Sequence, residues 1–322
     1  MTLIVSGGAG FLGSHLLEAL LAQGRSVTVI DNFDPFYPAE AKRRNLVEAH
    51  RAGDFRLLEA DIGDVDRCLA ALALKPAEVE ALVHLAARPG PRPSVREPQL
   101  YVRLNVGGTA GALELARRLE VPRFIFASSS SVYGARTEVP FREDDPAVAP
   151  VSPYAATKRA GELLCYTYHV LTGMSVVALR FFSAYGPRQR PDMAIAQFVS
   201  LIDRGMPVPV YGDGSASRDH TYVSDIVAGV VASLGVEAGY EVVNLGDSRA
   251  VRLDELVALI EESVGKRARI DRRPAQPGDV PVTCADITKA RRLLGYNPQV
   301  PIAEGLRRYV AWYRSQGSQG GR

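Results

Sequence analysis

The sequence has few cysteines, a small net charge and no long apolar run, and each of these features argues against a class of protein. The three cysteines, Cys68, Cys165 and Cys284, have no metal-ligand spacing, and the five histidines form no H-x-x-x-H pair, so we expect reduced thiols and no metal site. A formal charge of +2 over 322 residues argues against a dedicated nucleic-acid binder. No apolar run is long enough to span a membrane, and no basic segment or cleavage site precedes the first apolar run, "TLIVSG". We therefore expect no signal peptide, no membrane association and a cytoplasmic protein.

Short β-rich runs alternate with longer helical patterns over the first 180 residues. The strand candidates are "TLIVS" (2–6), "SVTVI" (26–30), "FRLLEA" (55–60), "ALVHLA" (81–86), "RFIFAS" (123–128) and "SVVALR" (175–180). Strand–helix alternation with nearly continuous apolar strands predicts an α/β fold, in which a doubly wound parallel sheet of the Rossmann type is covered by helices on both faces.

The sequence pattern changes after about residue 181, where turn-forming residues become frequent. Helical patterns persist at 223–234, 252–264 and 301–313. We therefore predict a first domain over 1–180 and a smaller mixed α/β domain over 181–314, with chain crossings between them. The polar, glycine-rich tail 315–322 is predicted to be disordered.

The segment "SGGAGFLG" follows the first strand and opens the first helix, with Gly7, Gly10 and Gly13 at three-residue spacing. Such glycines allow a tight turn and a close approach of the backbone to a pyrophosphate, and the helix N-terminus offers N–H groups to the phosphates. Asp31 ends the second strand. A carboxylate there accepts hydrogen bonds from ribose hydroxyls and repels a 2′-phosphate. The pattern predicts a dinucleotide site that prefers NAD to NADP.

Later strand ends extend this site. Asp61 follows the third strand, where it can reach an adenine edge, and the small residues Ala86 and Ala87 follow the fourth, where they let a cofactor lie against the backbone. Four consecutive serines, 128–131, end the fifth strand. Ligands bind at the carboxyl ends of strands in open α/β sheets, so these serines are candidate ligand contacts.

The stretch "SPYAATK" places a tyrosine and a lysine on one helix face. Ser152 is a good N-cap and Pro153 a good first helical residue, so Tyr154 falls in the first turn with Lys158 at i+4. The helix dipole and the ammonium both favour the ionised phenol, and we expect the pKa of Tyr154 to fall from about 10 toward neutrality. Such a phenolate is a good general base for a sugar hydroxyl.

With these motifs in place, the chain resembles the extended short-chain dehydrogenase/reductases of the nucleotide-sugar epimerase and dehydratase group, over nearly its whole length. Within that group it is most similar to the UDP-glucuronate 4-epimerases, through "DNFDPFYP" with "KRRNL", "RFFSAYGPRQRPDMA" and "QPGDVPVTCADI". The resemblance implies a 4-epimerase that interconverts UDP-glucuronate and UDP-galacturonate through a 4-keto intermediate, with tightly bound NAD.

The resemblance also implies roles for individual residues. Catalytic roles fall to Tyr154 as the base, Lys158 as its electrostatic partner, and Ser129 with its neighbours Ser128 and Ser130. The implied cofactor contacts are Gly7, Gly10, Phe11, Leu12, Gly13, Asp31, Asn32, Asp61, Ile62, Leu85, Ala86, Ala87, Asn105, Ser128, Tyr154, Lys158 and Phe181. The implied substrate contacts are Arg88, Ser129, Ser130, Ser183, Arg190, Tyr211, Arg218 and Asp279, with Arg92 a further candidate for an anion.

Two alternatives stay open, a UDP-glucose/UDP-galactose 4-epimerase and a UDP-glucuronate decarboxylase. Related dehydratases and decarboxylases carry acids after the fifth strand, where this chain has Ser130 and Ser131, so elimination of water is disfavoured. The family also pairs two long helices into a dimer. Here these would be roughly 100–118 and 153–172, and we expect a homodimer.

Overall fold

A computed structural model of the chain describes residues 1–237, 239–274 and 280–317. Its central layer is a seven-stranded sheet in the order β10-β6-β5-β4-β1-β2-β3, with every neighbouring pair parallel. The strands are β1 Thr2–Ser6, β2 Val27–Asp31, β3 Arg56–Glu59, β4 Val79–His84, β5 Arg123–Ser129, β6 Ser175–Phe181, β7 Ser183–Tyr185, β8 Pro207–Tyr211, β9 Ser217–Tyr222, β10 Tyr240–Leu245, β11 Ala250–Arg252 and β12 Arg269–Arg273.

Helices connect most of these strands. They are α1 Phe11–Ala22, α2 Ala39–Ala49, α3 Val65–Leu72, α4 Pro91–Arg96, α5 Pro98–Tyr101, α6 Gly108–Arg118, α7 Pro153–Thr172, α8 Ala194–Asp203, α9 Val223–Ser233, α10 Leu253–Val264, α11 Thr288–Leu294 and α12 Ile302–Gly317. A π-helical segment, Val102–Gly107, joins α5 to α6, and a 3₁₀ turn, Ser130–Tyr133, follows β5.

The sheet buries side chains on both faces because successive residues of a strand point to opposite sides. In β1, Leu3 and Val5 pack with residues of α1 and α9 in one apolar cluster. Ile4, between them, packs with residues of α3, α6 and α7 in a second cluster on the other face. These near-continuous apolar strands confirm the predicted doubly wound parallel fold.

The region after residue 181 forms two small sheets, β11-β9-β7 and β12-β8. It also returns one strand to the central layer, since β10 pairs with β6 at the sheet's edge. The last helix runs to Gly317, so residues 315–317 are helical although the sequence assigned them to a disordered tail, and residues 318–322 lie outside the described part of the chain. Among the described residues, no helix combines the length and apolarity needed to cross a membrane.

Candidate active site

The strand order reverses between β1 and β4, and a cavity opens at the carboxyl ends of the strands, as the topology of open α/β sheets predicts. Twenty of the residues singled out by sequence line it. They are Gly7, Gly10, Phe11, Leu12, Gly13, Asp31, Asn32, Asp61, Ile62, Leu85, Ala86, Ala87, Arg88, Ser128, Ser129, Tyr154, Lys158, Phe181, Ser183 and Arg190. The structure thus brings both predicted ligand sites into one cavity.

The glycine loop is built for close approach. Gly7 has φ +75°, a conformation that favours glycine, and a Cβ there would lie 2.7 Å from the Ala86 backbone nitrogen. At Gly13, a Cβ would lie 2.1 Å from the carbonyl oxygen of Gly7. Gly10 is the N-cap of α1 and carries no side-chain cap. The N-terminal N–H groups of α1 therefore remain available to an anion in the cavity.

Asp31 is buried at the end of β2 and is held by two backbone donors. Its Oδ2 accepts from Ala9 N at 3.1 Å, and its Oδ1 accepts from Phe33 N at 2.9 Å. Burial raises the pKa of this carboxyl, while the nearby Lys42 ammonium and these N–H groups oppose the rise. Lys42 Nζ lies 4.0 Å from Asp31 Oδ1 and donates to Asp34 O at 3.0 Å. Sequence reasoning missed Lys42 as a cavity residue, although it lies in the "KRRNL" stretch.

The adenine side of the predicted site is formed by Asn32 and Asp61. Asn32 Nδ2 donates to Asp61 Oδ2 at 3.2 Å, and Asp61 Oδ1 accepts from Gly63 N at 2.8 Å. Asn105, predicted as a cofactor contact, does not line the cavity. Its side chain instead accepts from Arg88 N at 2.7 Å and donates to Arg88 O at 3.0 Å. Asn105 therefore fixes the backbone of the loop after β4.

Helix α7 begins as the sequence predicts. Ser152 Oγ accepts from Ala155 N at 3.1 Å, and Pro153 is the first helical residue. Tyr154 and Lys158 line the cavity from the same face of the helix. Lys158 Nζ donates to Ala127 O at 2.7 Å and lies 6.0 Å from the ring centroid of Tyr154. The helix thus fixes an ammonium beside the phenol.

The predicted fall in the pKa of Tyr154 is wrong for this structure. Burial raises the pKa of the phenol, and the hydrogen bond with Ser129 and the charge of Arg190 only partly oppose it. Burial also lowers the pKa of Lys158 to about 8. The prediction weighed the helix dipole and the ammonium but not desolvation, which opposes the charged form of both groups.

The serines after β5 have different surroundings. Ser128 Oγ donates to Glu162 Oε1 at 2.6 Å, and that carboxylate also accepts two hydrogen bonds from Arg180, at 2.8 and 2.9 Å. Ser129 Oγ accepts from Ser131 N at 3.2 Å, and the proximity of Ser129 acts to lower the pKa of the Tyr154 phenol. Ser130 begins the 3₁₀ turn and lies outside the cavity lining. Of the predicted serines, Ser128 and Ser129 thus reach the cavity.

The cavity lining also includes residues predicted to meet a substrate. Ser183 begins β7, and Arg190 follows in the next loop, paired with Asp192 at 2.9 Å. The guanidinium groups of Arg88 and Arg190 lie 5.2 and 5.6 Å from the ring centroid of Phe36. Phe36 lies in the "DNFDPFYP" stretch that carried the resemblance, although no role was assigned to it. Two cations and a hydroxyl therefore line the same cavity as Ser128 and Ser129.

Two of the predicted substrate contacts in the described part of the chain, Tyr211 and Arg218, do not line this cavity. Tyr211 ends β8, with the guanidinium of Arg92 5.2 Å from its ring centroid, and Arg218 lies in β9. Asp279 lies outside the described residues. Tyr211 and Arg218 therefore lie in the smaller region of the fold, outside the cavity lining.

Comparison with known proteins agrees with this geometry. The family model described as GDP-mannose 4,6 dehydratase matches residues 4–309. A UDP-glucuronate 4-epimerase of Thermodesulfobacterium geofontis is 39% identical over 314 residues, which are 96% of this chain and 95% of that protein.

Two solved structures bear on the choice between sugar substrates. The UDP-glucuronic acid 4-epimerase of Bacillus cereus, in complex with UDP-glucuronic acid and NAD, superposes with a TM-score of 0.90 at 35% identity, over 98% of this chain and 100% of that one. The UDP-glucose 4-epimerase of Thermotoga maritima with UDP-glucose gives 0.89 at 32% identity, over 98% and 99%.

Proposed function

This chain belongs to the GDP-mannose 4,6 dehydratase family of extended short-chain dehydrogenase/reductases, and we propose that it is a UDP-glucuronate 4-epimerase that interconverts UDP-glucuronate and UDP-galacturonate. One observation carries the proposal. Tyr154, Ser129 and Ser183 line the same cavity as the glycine loop, while positions 130 and 131 hold serines in place of acids. The similarity to the UDP-glucuronate 4-epimerases of Thermodesulfobacterium geofontis and Bacillus cereus supports a uronic acid as the sugar of the substrate.

The cavity fits NAD as the resident cofactor. The glycine loop and the N-terminus of α1 would hold its pyrophosphate, Asp31 with Lys42 the adenosine ribose, and Asp61 the adenine. When bound, NAD supplies the redox chemistry by taking a hydrogen with its electron pair from the sugar carbon and returning it. The small residues Ala86 and Ala87 leave the backbone after β4 open to a flat ring.

Tyr154 is the group placed to move the proton of the sugar 4-hydroxyl. In its ionised form, its oxygen accepts this proton as the carbon is oxidised, and returns it when the ketone is reduced on the opposite face. Ser129, which lines the cavity with Tyr154, would orient the sugar oxygen. Lys158 stabilises the phenolate electrostatically. The carbonyl of Ala127 fixes its ammonium in place. Between the two steps, the 4-keto sugar turns about its bonds to the diphosphate.

A uronic acid substrate adds a hazard, because the 4-keto intermediate is a β-keto acid. It loses carbon dioxide if the bond to the carboxylate aligns with the π-system of the ketone. Ser183 lines the same cavity as Ser129 and would hold the carboxylate out of that alignment by a hydrogen bond. The guanidinium groups of Arg88 and Arg190, which line the cavity, would pair with the anionic groups of the substrate.

The nucleotide end of the substrate is assigned to the smaller region. We propose that Arg218 and Asp279 hold it and that Tyr211 lies near the uracil, with Arg92 beside the ring of Tyr211. These contacts extend the site from the cavity toward β8 and β9. Ser130 is proposed to support the hydroxyl of Ser129 from the 3₁₀ turn.

The product from UDP-glucuronate tests the proposed function. The purified protein is incubated with UDP-glucuronate, and the sugar is followed by proton NMR while released gas is measured. UDP-galacturonate without carbon dioxide supports the proposal. UDP-xylose with carbon dioxide would identify a decarboxylase, and turnover of UDP-glucose alone would identify the alternative epimerase.

We also propose that the protein is a cytoplasmic homodimer. Its three cysteines are free thiols, as suits a reducing compartment. Helix α7 exposes an apolar row, with Leu163 53%, Tyr166 51% and Val170 63% exposed, and this row would pack against the same helix of a second copy. Light scattering after gel filtration should give twice the chain mass. A Leu163→Glu variant should then elute as a monomer.

A further inference from the structure

The loop over residues 186–193, between β7 and α8, forms part of the cavity wall through Arg190 and Met193. Its backbone is unusual at two points. Gly186 has φ +145°, and a Cβ there would lie 2.6 Å from Val223 Cγ1. Arg188 has φ +64°, the left-handed region that non-glycine residues seldom adopt. Such a loop needs contacts from outside to keep its conformation.

Helix α1 supplies those contacts through Glu18 and His15. Arg188 Nη1 donates to Glu18 Oε1 and Nη2 to Glu18 Oε2, both at 2.7 Å, the paired geometry that matches guanidinium to carboxylate. Arg188 Nη2 also lies 2.6 Å from His15 Nδ1. The side chain of Arg188 is only 5% exposed. Arg188, at the turn of the loop, is thus held against helix α1 by Glu18 and His15, and we call these contacts the clamp.

The protonation state of His15 agrees with this arrangement. Its Nε2 lies 2.9 Å from the carbonyl oxygen of Pro187, which can only accept, and 3.3 Å from Nε of Arg188, which can only donate. We place the hydrogen on Nε2, toward the shorter contact, so that Nδ1 accepts from Arg188 Nη2 at 2.6 Å. Burial and the charge of Arg188 lower the pKa of His15 to about 4. The other charged groups around this ring are Glu18, Glu48 and Arg51.

The inner side of the loop lines the cavity. Arg190 is held by Asp192, at 2.9 and 3.0 Å, and lies over the ring of Phe36. On the other side of the clamp, α1 presents Phe11 to the same cavity, and the ring of Phe11 lies 5.9 Å from that of His15. One helix therefore contacts the cofactor side of the cavity with its first turn and the substrate loop with its next.

We propose that His15 and Glu18 are positioning residues for the nucleotide sugar: through Arg188 they fix the 186–193 loop so that Arg190 stands in the cavity. This inference rests on the proposed function, because it takes Arg190 as a contact of the substrate's anionic end. Neither His15 nor Glu18 lines the cavity. Their effect is expected in the affinity for the nucleotide, while the affinity for NAD is left unchanged.

Two variants release the clamp in different ways. Arg188→Gly suits the left-handed backbone but removes the guanidinium, and Glu18→Gln keeps the shape but removes the charge. In both we expect calorimetric titration of the NAD-loaded enzyme with UDP to give a Kd raised about tenfold or more. Bound NAD, read from absorbance after denaturation, should stay at the wild-type level. The double variant should show little further loss, since both changes remove one interaction.

A matched control breaks an ion pair elsewhere. Lys289→Met removes the contact of Lys289 Nζ with Glu241 Oε2 at 2.7 Å, on the far strand β10, and should leave the Kd for UDP unchanged. A wild-type Kd in both clamp variants would overturn the inference. So would a fall in bound NAD that parallels the loss of UDP, because it would show general damage. If UDP binding weakens as expected but wild-type enzyme does not convert UDP-glucuronate, the proposed function fails, and only the part of the inference that concerns nucleotide binding stands.

Discussion

Removing the positive charge beside the proposed base is the sharpest test of how Tyr154 works. Lys158→Met keeps most of the side chain's length and takes away the ammonium, which lies 6.0 Å from the ring centroid of Tyr154. At this distance and an effective dielectric constant of about 20, Coulomb's law gives about 3 kcal/mol for the ammonium and a phenolate. Because each 1.4 kcal/mol is a factor of ten, kcat at neutral pH should fall about 10²-fold.

The pH dependence of the variant separates this electrostatic role from a structural one. Without the ammonium, the ionised fraction of the phenol below its pKa rises with pH, so kcat should recover about tenfold per pH unit from pH 7. In the wild type, the ammonium is lost as pH rises through about 8, the pKa to which burial lowers Lys158. Initial rates of epimerisation measured by NMR from pH 6.5 to 9.5, with NAD content checked in parallel, give both profiles. A variant that keeps full activity, or that loses it without recovery at high pH while NAD stays bound, would refute the electrostatic reasoning.

Three further predictions follow from the same geometry. Gly13→Ala should abolish NAD binding in a fluorescence titration, because its Cβ would lie 2.1 Å from Gly7 O, whereas Gly107→Ala at an exposed position, with no atom within 4 Å of its Cβ, should bind NAD normally. Glu162→Ala should lower the free energy of unfolding in urea by about 3–5 kcal/mol, because it leaves the buried Arg180 guanidinium unpaired; a loss below 1 kcal/mol would contradict this. Acidification should destabilise the fold between about pH 6.5 and 4, since burial lowers the pKa of His15 and His220 to about 4. As the pH falls, the unfolded chain binds these protons before the folded chain does, so the free energy of unfolding falls by up to about 1.4 kcal/mol per pH unit for each histidine. In a His15→Gln variant, the melting temperature should therefore depend less on pH over this range.

The parts of the structure that follow local rules were visible in the sequence. Apolar runs predicted six strands of the central sheet because parallel strands are buried on both faces. The glycine spacing placed Gly7 and Gly13 where close approach requires them, and the N-cap at Ser152 set the first turn of α7. Each of these signals is contained within about a dozen neighbouring residues.

The parts that depend on distant contacts were missed. Lys42 reaches Asp31 only because the segment after β2 folds back over the cavity. Glu162 was unremarkable in sequence, yet it receives hydrogen bonds from Ser128 on β5 and Arg180 on β6. The raised pKa of Tyr154 depends on its desolvation, which no local pattern reports. Pairings and burial of this kind are set by tertiary packing.

The central claim is that a hydrogen leaves the sugar's C4 with its electrons and returns to the same carbon, while Tyr154 handles only the hydroxyl proton. UDP-glucuronate carrying deuterium at C4 tests it directly. For the reaction in ordinary water, we expect UDP-galacturonate with the deuterium retained at C4, as measured by NMR and mass spectrometry. Loss of the label to solvent would mean that C4 is deprotonated by the protein, and it would contradict the account.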